Sequence, residues 1–443
     1  MTKTQTAITA ALALVGITAS TPVYADGKDG YDLSLSLDLG VSRTDNRDNV
    51  PNGGLTQGAR RAAKTSNTEF RIAPVVQYEV QTSDSYDLRI YYRPVYVWYS
   101  NPREGGVKSQ FSQGFDLRLG TQLSPRSRFV LTDNLHFSPD SKWNYNNDEY
   151  SYSPEDYESR KDEHYVNKLY AQLTREFTRL LRGEINGTYQ IKRYDKKNLA
   201  EYYDEDLYII GGSLQIVQNR HISYGVYSRY TIYDRSTHGT VDDRPGRVDN
   251  GVTYWNNGLQ ATYDLFGNKR FVFNGSIGYN QLWHEADNVD DESMWGDSTI
   301  DLTMFQQERT GGKIGYRLGK AHSDIFPYSS QRDNAFFGSV FHAFGKADRS
   351  LKIGTDFELR TRKFKLITID DDADIDLWNA WLAENGYART GKHDTTYLRL
   401  WAKYRITDNV DTSVFYSYEK VKSDVTNDYT ANTVGASVTI RFF

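Results

Sequence analysis

The sequence contains no cysteine. That removes a disulfide framework, a thiolate metal site and a thiol nucleophile together. Long apolar runs are also missing. Past the N-terminus, nothing approaches the roughly 20 apolar residues that a membrane-crossing helix needs. Charge of one sign is not in large excess: the formal net charge is −5, which argues against nucleic acid as the main partner. Mean hydropathy is low, at −0.68, which looks soluble. A barrel with a wet interior and polar loops averages out to the same value.

What is abundant is aromatic: 14% of the chain, with 34 Tyr and 8 Trp. The N-terminus has a positive Lys3, an apolar core over Ala7–Ile17, and Val23-Tyr24-Ala25 before Asp26. This predicts a signal peptide over residues 1–25 and a mature chain over 26–443. No cysteine follows the cleavage site, so the signal is not a lipoprotein signal.

The organising pattern is clearest from Phe70 to Tyr99. Phe70, Ile72, Pro74, Val76, Tyr78 and Val80 alternate with Arg71, Ala73, Val75, Gln77 and Glu79. After Thr82–Ser85 the pattern restarts as Tyr86, Leu88, Ile90, Tyr92, Pro94, Tyr96 and Trp98. Successive strand side chains point to opposite faces, so each strand has one apolar and one polar face. This is the pattern of a membrane-spanning β-hairpin.

The unit repeats along the chain. It begins with Tyr31–Val41 and the Phe70–Tyr99 hairpin, and continues through strands near Phe111–Leu123 and Phe129–Phe137. Further strands centre on Tyr165–Leu173, Leu181–Ile191, Tyr208–Ile216, Ile222–Ile232, Trp255–Leu265 and Phe271–Tyr279. The last group covers Ile300–Met304, Ile314–Leu318 after a turn at Thr310-Gly311-Gly312, Phe336–Phe344, Leu351–Leu359, Leu398–Tyr404, Val414–Tyr418 and Val434–Phe442. Short turns and long loops alternate between them. The expectation is an all-β chain: a transmembrane antiparallel β-barrel of about 18 strands, with short periplasmic turns and long extracellular loops. A barrel of that size can hold an aqueous lumen. Outward aromatics at both strand ends, such as Tyr86, Phe129, Phe271 and Phe344 against Trp98, Phe111, Phe137, Trp255 and Phe336, predict two interfacial girdles. The chain ends on Phe442-Phe443, the end expected of a barrel handed to the outer-membrane assembly machinery.

Two details of the pattern make sharper expectations. Pro74 and Pro94 fall opposite each other, and proline cannot donate to a ladder. They are predicted to form a non-hydrogen-bonded pair, with the missing N–H groups directed at the first and fourth strands. Asp133 lies among Phe129, Leu131, Leu135 and Phe137, on the face that should meet lipid. It predicts a bulge, a subunit contact or a pairing with a neighbouring strand.

One segment resembles a known family. Ile72-Ala73-Pro74, Tyr92-Arg93-Pro94-Val95-Tyr96, Leu117-Arg118-Leu119-Gly120 and the run from Leu123 to Leu135 are similar to the outer-membrane β-barrel porins of the second type. The resemblance covers Phe70 to about Asp140. It implies an outer-membrane barrel and supplies no catalytic residues. Some members accompany exopolysaccharide gene clusters, so an export role is implied as an alternative.

A wide barrel works through its lumen. By parity the lumen-facing set includes Arg89, Arg93, Arg118, Arg128, Lys168, Arg182, Lys192, Arg229, Lys313, Arg317, Lys352, Arg360, Arg399 and Lys403. Tyr91, Tyr99, Tyr227 and Tyr397 share that face, and acids are fewer: Asp87, Asp116, Glu184, Asp356 and Glu358. Rings of Arg and Lys favour anions. Two readings stand: an outer-membrane porin for small anionic or saccharide solutes, or a wet wall whose charges pair across strands.

The loops are acidic. Asp372-x-Asp374-x-Asp376 starts like a calcium loop, but Leu377 stands at the glycine position and Ala383 at the closing glutamate. Leu377–Ala383 is a candidate helix folding into the lumen. No cofactor is implied. His136, His164, His238 and His393 lie near the loop side, without a recognisable Ser–His spacing, so the chain is not read as an enzyme. A structural barrel without transport is the remaining class. The expected surroundings are outer-membrane lipid and lipopolysaccharide.

Overall fold

The computed structural model describes residues 29–45, 66–82, 85–101, 108–138, 164–194, 203–237, 252–266, 271–284, 298–304, 309–322, 328–346, 349–366, 390–424 and 428–442. The signal-peptide segment, both acidic loop clusters, Leu377–Ala383 and His238 lie outside them.

The described chain is all β. The first nine strands are β1 (Asp29–Thr44), β2 (Asn67–Thr82), β3 (Tyr86–Tyr99), β4 (Ser109–Ser124), β5 (Ser127–Ser138), β6 (His164–Glu176), β7 (Leu181–Tyr194), β8 (Tyr203–Val217) and β9 (Ile222–Thr237). The second nine are β10 (Val252–Asp264), β11 (Phe271–His284), β12 (Ser298–Met304), β13 (Thr310–His322), β14 (Tyr328–Lys346), β15 (Arg349–Leu366), β16 (Thr390–Thr407), β17 (Val410–Ser423) and β18 (Tyr429–Arg441). All eighteen belong to one sheet, each pairing antiparallel with its sequence neighbours. The ring closes where β1 meets β18, from Ser36↔Arg441 to Thr44↔Thr433. The Phe442 N–H then donates to the Leu35 carbonyl at 2.9 Å, extending that seam by one residue. Closure gives every described strand a partner on both sides, although the short β12 reaches only Phe271–Ile277 of β11 and Gly312–Leu318 of β13.

The two faces of the sheet are unlike. Phe70, Ile72, Trp98, Ile185, Ile210, Leu259, Ile277 and Val414 are large, apolar and exposed. The opposite parity carries the charges, and it also carries the side chains that are buried: Arg93, Thr231, Asn256, Arg362 and His393. A convex outer surface buries few side chains in this way, Leu35 among them, so the polar face is the interior. Aromatic contacts run along the apolar face near the strand ends. Phe70 meets Trp98 at 5.3 Å, Phe137 meets Tyr165 at 5.9 Å, and Tyr189 stacks on Tyr208 at 4.8 Å.

Several strands are longer than the apolar alternation shows. β14, β15 and β16 reach well beyond Phe336–Phe344, Leu351–Leu359 and Leu398–Tyr404. Their ends continue as polar residues, where hydrogen bonding persists after the apolar signal has stopped. Thr310-Gly311-Gly312 is not a turn but the start of β13, with Gly311 opposite Phe341. The β14–β15 hairpin instead places Gly345 at φ 90°, a conformation glycine adopts without a Cβ clash.

The proline pair corrects its expectation. The Ser100 N–H donates to the Thr68 carbonyl, so even-numbered residues of β2 direct their backbone groups at β3. Stepping by two reaches Pro74 and Pro94, which therefore occupy a hydrogen-bonded pair position. The β2–β3 ladder breaks there, between Ile72↔Tyr96 and Val76↔Tyr92. The β1–β2 ladder runs unbroken through Leu37↔Pro74, and β3–β4 through Pro94↔Gln113. The missing N–H groups therefore face each other, not the flanking strands. Ala73, Val95, Val97 and Tyr99 form a buried cluster on the inner side of this region.

Candidate functional site

Alternation and register put Arg89, Tyr91, Arg93, Asp116, Arg118, Arg128, Lys168, Arg182, Arg229, Arg317, Glu358, Arg360, Arg399 and Lys403 on the interior face. They are spread around the ring. Arg89, Arg118, Thr132 and Tyr170 make one cross-strand row, and Tyr91, Asp116, Asn134 and Lys168 the next. Arg182 and Arg229 stand on β7 and β9. On the far side, Arg317, Ala335 and Arg360 make a row, and Arg399 faces Asp356.

The interior acids act as hubs. Asp38 Oδ2 lies 2.8 Å from Arg71 and 3.4 Å from Arg93, while Thr439 donates to its Oδ1 at 3.3 Å. That single carboxylate ties β1, β2, β3 and β18 together at the closing seam. Asp87 receives Arg118 at 3.4 Å and Arg128 at 2.6 Å. Asp333 holds Arg360 in a two-bond contact and lies 3.6 Å from Arg317. Asp411 contacts Arg441, Lys403 at 3.5 Å and Arg405 at 3.4 Å, and is itself 2% exposed. Asn134 donates to Asp116. Each hub carboxylate thus serves two or three cations. Around Asp38, Asp87 and Asp411 the cations outnumber the acid, which leaves positive charge on the wall; at Asp333 the count is balanced, because Glu358 also lies 4.0 Å from Arg360.

Exposure sorts these cations. Arg118, Arg128, Arg317, Lys403 and Arg441 are between 37% and 52% exposed, whereas Arg93 and Arg360 are at 9% and 13%. The first group can meet a solute directly. Arg93 and Arg360 mainly hold the wall.

Parity reasoning passed over Asp38, Arg71, Asp333, Asp411, Arg405 and Arg441. Their signal was present: all sit at polar-face positions of their strands. It also passed over interior aromatics. Phe341, Trp401 and Phe415 share the polar parity of their strands. The mark that separates them is the glycine opposite: Gly354 faces Phe341 and Trp401, and Gly435 faces Phe415.

No protein-family model matches the sequence, and no curated protein matches it. The resemblance to barrel porins of the second type therefore rests on the residues quoted for it. Solved structures do resemble the chain in fold. OpdQ from Pseudomonas aeruginosa gives a TM-score of 0.45 at 11% identity, covering 93% of this chain and 98% of that one. The siderophore receptor PirA from Pseudomonas aeruginosa gives 0.44 at 7% identity, covering 92% and 80%. PirA from Acinetobacter baumannii gives 0.44 at 7%, covering 95% and 81%.

Of the four histidines at the loop side, His393 makes a contact of catalytic type, with Nδ1 3.2 Å from Ser423 Oγ. His393 is 0% exposed. His136 is buried as well, at 9% exposure.

Proposed function

We propose that this chain is an outer-membrane porin, a barrel whose interior passes small polar solutes by diffusion and prefers anions, including acidic saccharides. The observation that carries the reading is the sharing of interior carboxylates. Asp87 and Asp411 are each divided among several cations that are themselves open to the interior. Fixed positive charge on a wet wall raises the local anion concentration. In this reading the apolar face meets outer-membrane lipid and lipopolysaccharide. The strand ending at Phe442 is the segment presented to the assembly machinery.

The test is conductance and ion selectivity of the purified barrel in planar bilayers. Steady openings with chloride preferred over potassium are expected. Arg118→Ala and Arg128→Ala are expected to weaken that preference, because both side chains are about half exposed. Arg93→Ala is expected to change selectivity less and stability more. Silence from a correctly folded barrel overturns the diffusion reading. It would leave a barrel opened by an export partner, or one that only supports the membrane.

A further inference from the structure

The interior wall of β14–β18 carries one cross-strand row of unusual composition. Register links Phe341 to Gly354, Gly354 to Trp401, Trp401 to Phe415, and Phe415 to Gly435. Three large rings share the row with two residues that have no side chain. The rings use that space. A Cβ built on Gly354 would lie 2.3 Å from Cζ2 of Trp401, and one on Gly435 would lie 2.4 Å from Cε1 of Phe415. Trp401 and Phe415 therefore lie down over the neighbouring strand, flush with the wall, rather than standing into the lumen. Phe341 tilts against Trp401, with ring centroids 6.5 Å apart. From β14 to β17 the row spans three inter-strand spacings, or about 14 Å.

Cations flank the row. The Lys352 ammonium sits 3.6 Å from the Phe341 ring centroid and 5.8 Å from that of Trp401. Among the described residues, its contacts are these rings and not a carboxylate. Arg399 lies 4.8 Å from the Phe415 centroid. Lys403 is opposite Lys352 in the next row, and shares Asp411 with two arginines. Asp356 is opposite Arg399.

A water-filled wall has no use for three large apolar rings in one row, two of them laid flat, because exposing them to water is unfavourable. They are suited to a ligand with an apolar face and a polar rim. We infer that this row is a binding path for acidic oligosaccharides. The C–H faces of successive pyranose rings would stack on Phe341, Trp401 and Phe415, and sugar carboxylates would meet Lys352, Lys403 and Arg399. Charge alone would attract any anion; the rings add the demand for a sugar. The inference rests on the porin reading and narrows its solute class.

The experiment keeps the two apart. Chloride conductance of the barrel in planar bilayers is recorded while an oligogalacturonate, a maltooligosaccharide of equal length, or sodium sulfate is added. Binding of the same oligogalacturonate to the detergent-solubilised barrel is measured by calorimetry, which does not require conduction. The expected result is concentration-dependent block by oligogalacturonate, at least tenfold weaker for the neutral sugar and absent for sulfate. Trp401→Ala and Phe415→Ala should each weaken block and calorimetric affinity at least tenfold, and Trp401→Phe should restore most of both. Lys352→Ala should weaken the acidic sugar and leave the neutral one unchanged. Heat-shifted gel mobility checks that each variant folds. An open pore whose block by oligogalacturonate is absent, or is indifferent to Trp401→Ala, overturns this inference and leaves the porin reading standing. Equal block by the neutral sugar also overturns it, because the flanking cations would then have no role. A silent barrel that still binds oligogalacturonate through Trp401 overturns free diffusion but supports the path.

Discussion

Asp133 points its carboxylate at the apolar side of the sheet, directly between Leu117 on β4 and Leu169 on β6. Both ladders are regular at that position, so a bulge does not account for it. Its Oδ1 is buried without a hydrogen-bond partner. A carboxylate held this way against lipid costs stability, though less than the roughly 2–4 kcal/mol of a midplane lysine. Asp133→Leu is therefore expected to stabilise the folded barrel by about 1–2 kcal/mol, read from urea unfolding in lipid vesicles. An unchanged or lower midpoint would mean that the carboxylate has a partner outside this chain. Asp411 is the opposite case. It is 2% exposed and, from β17, holds Arg441 of β18 and Arg405 and Lys403 of β16. Asp411→Ala leaves those partly solvated cations facing one another, and should cost about 1–2 kcal/mol in the same unfolding assay.

At the scale of the strand pair, the β2–β3 seam lacks two cross-strand donors at one level. The proline rings take both N–H groups away, and the Pro74 and Pro94 carbonyls face each other without them. Pro94→Val restores one donor at a position aimed at the Pro74 carbonyl. The new amide is expected to exchange slowly in hydrogen–deuterium measurements on the micelle-bound barrel, comparable with neighbouring β3 amides. Exchange that instead depends on Gln113 of β4 would show that the donor faces the other way. The apolar alternation located the hairpin and its centre correctly. It could not choose between hydrogen-bonded and non-hydrogen-bonded positions, because both give the same side-chain pattern.

At the scale of the whole molecule, ring closure brings β1 against β18, hundreds of residues apart, and Asp38 fastens that seam through Arg71, Arg93 and Thr439. Closure also turns scattered basic side chains into one enclosed surface. Screening then sets how far their field reaches: about 10 Å at 0.1 M salt and about 3 Å at 1 M. The chloride-to-potassium permeability ratio is expected to be highest in dilute salt and to fall toward unity near molar salt. A ratio independent of salt would mean that selectivity comes from contacts at a constriction and not from the charged wall.

The sequence by itself determined the strands, their order and the alternation of two unlike faces along them, because strand periodicity is local. It placed Arg118, Arg128 and Lys403 on the interior. It ended β14, β15 and β16 too early, since hydrogen bonding outlasts the apolar pattern. Only the tertiary structure decided which interior charges share a partner and which rings lie flat. Asp411 meets Arg441, and Trp401 covers Gly354, through the register between strands. Register is a relation between distant segments, and no single strand carries it.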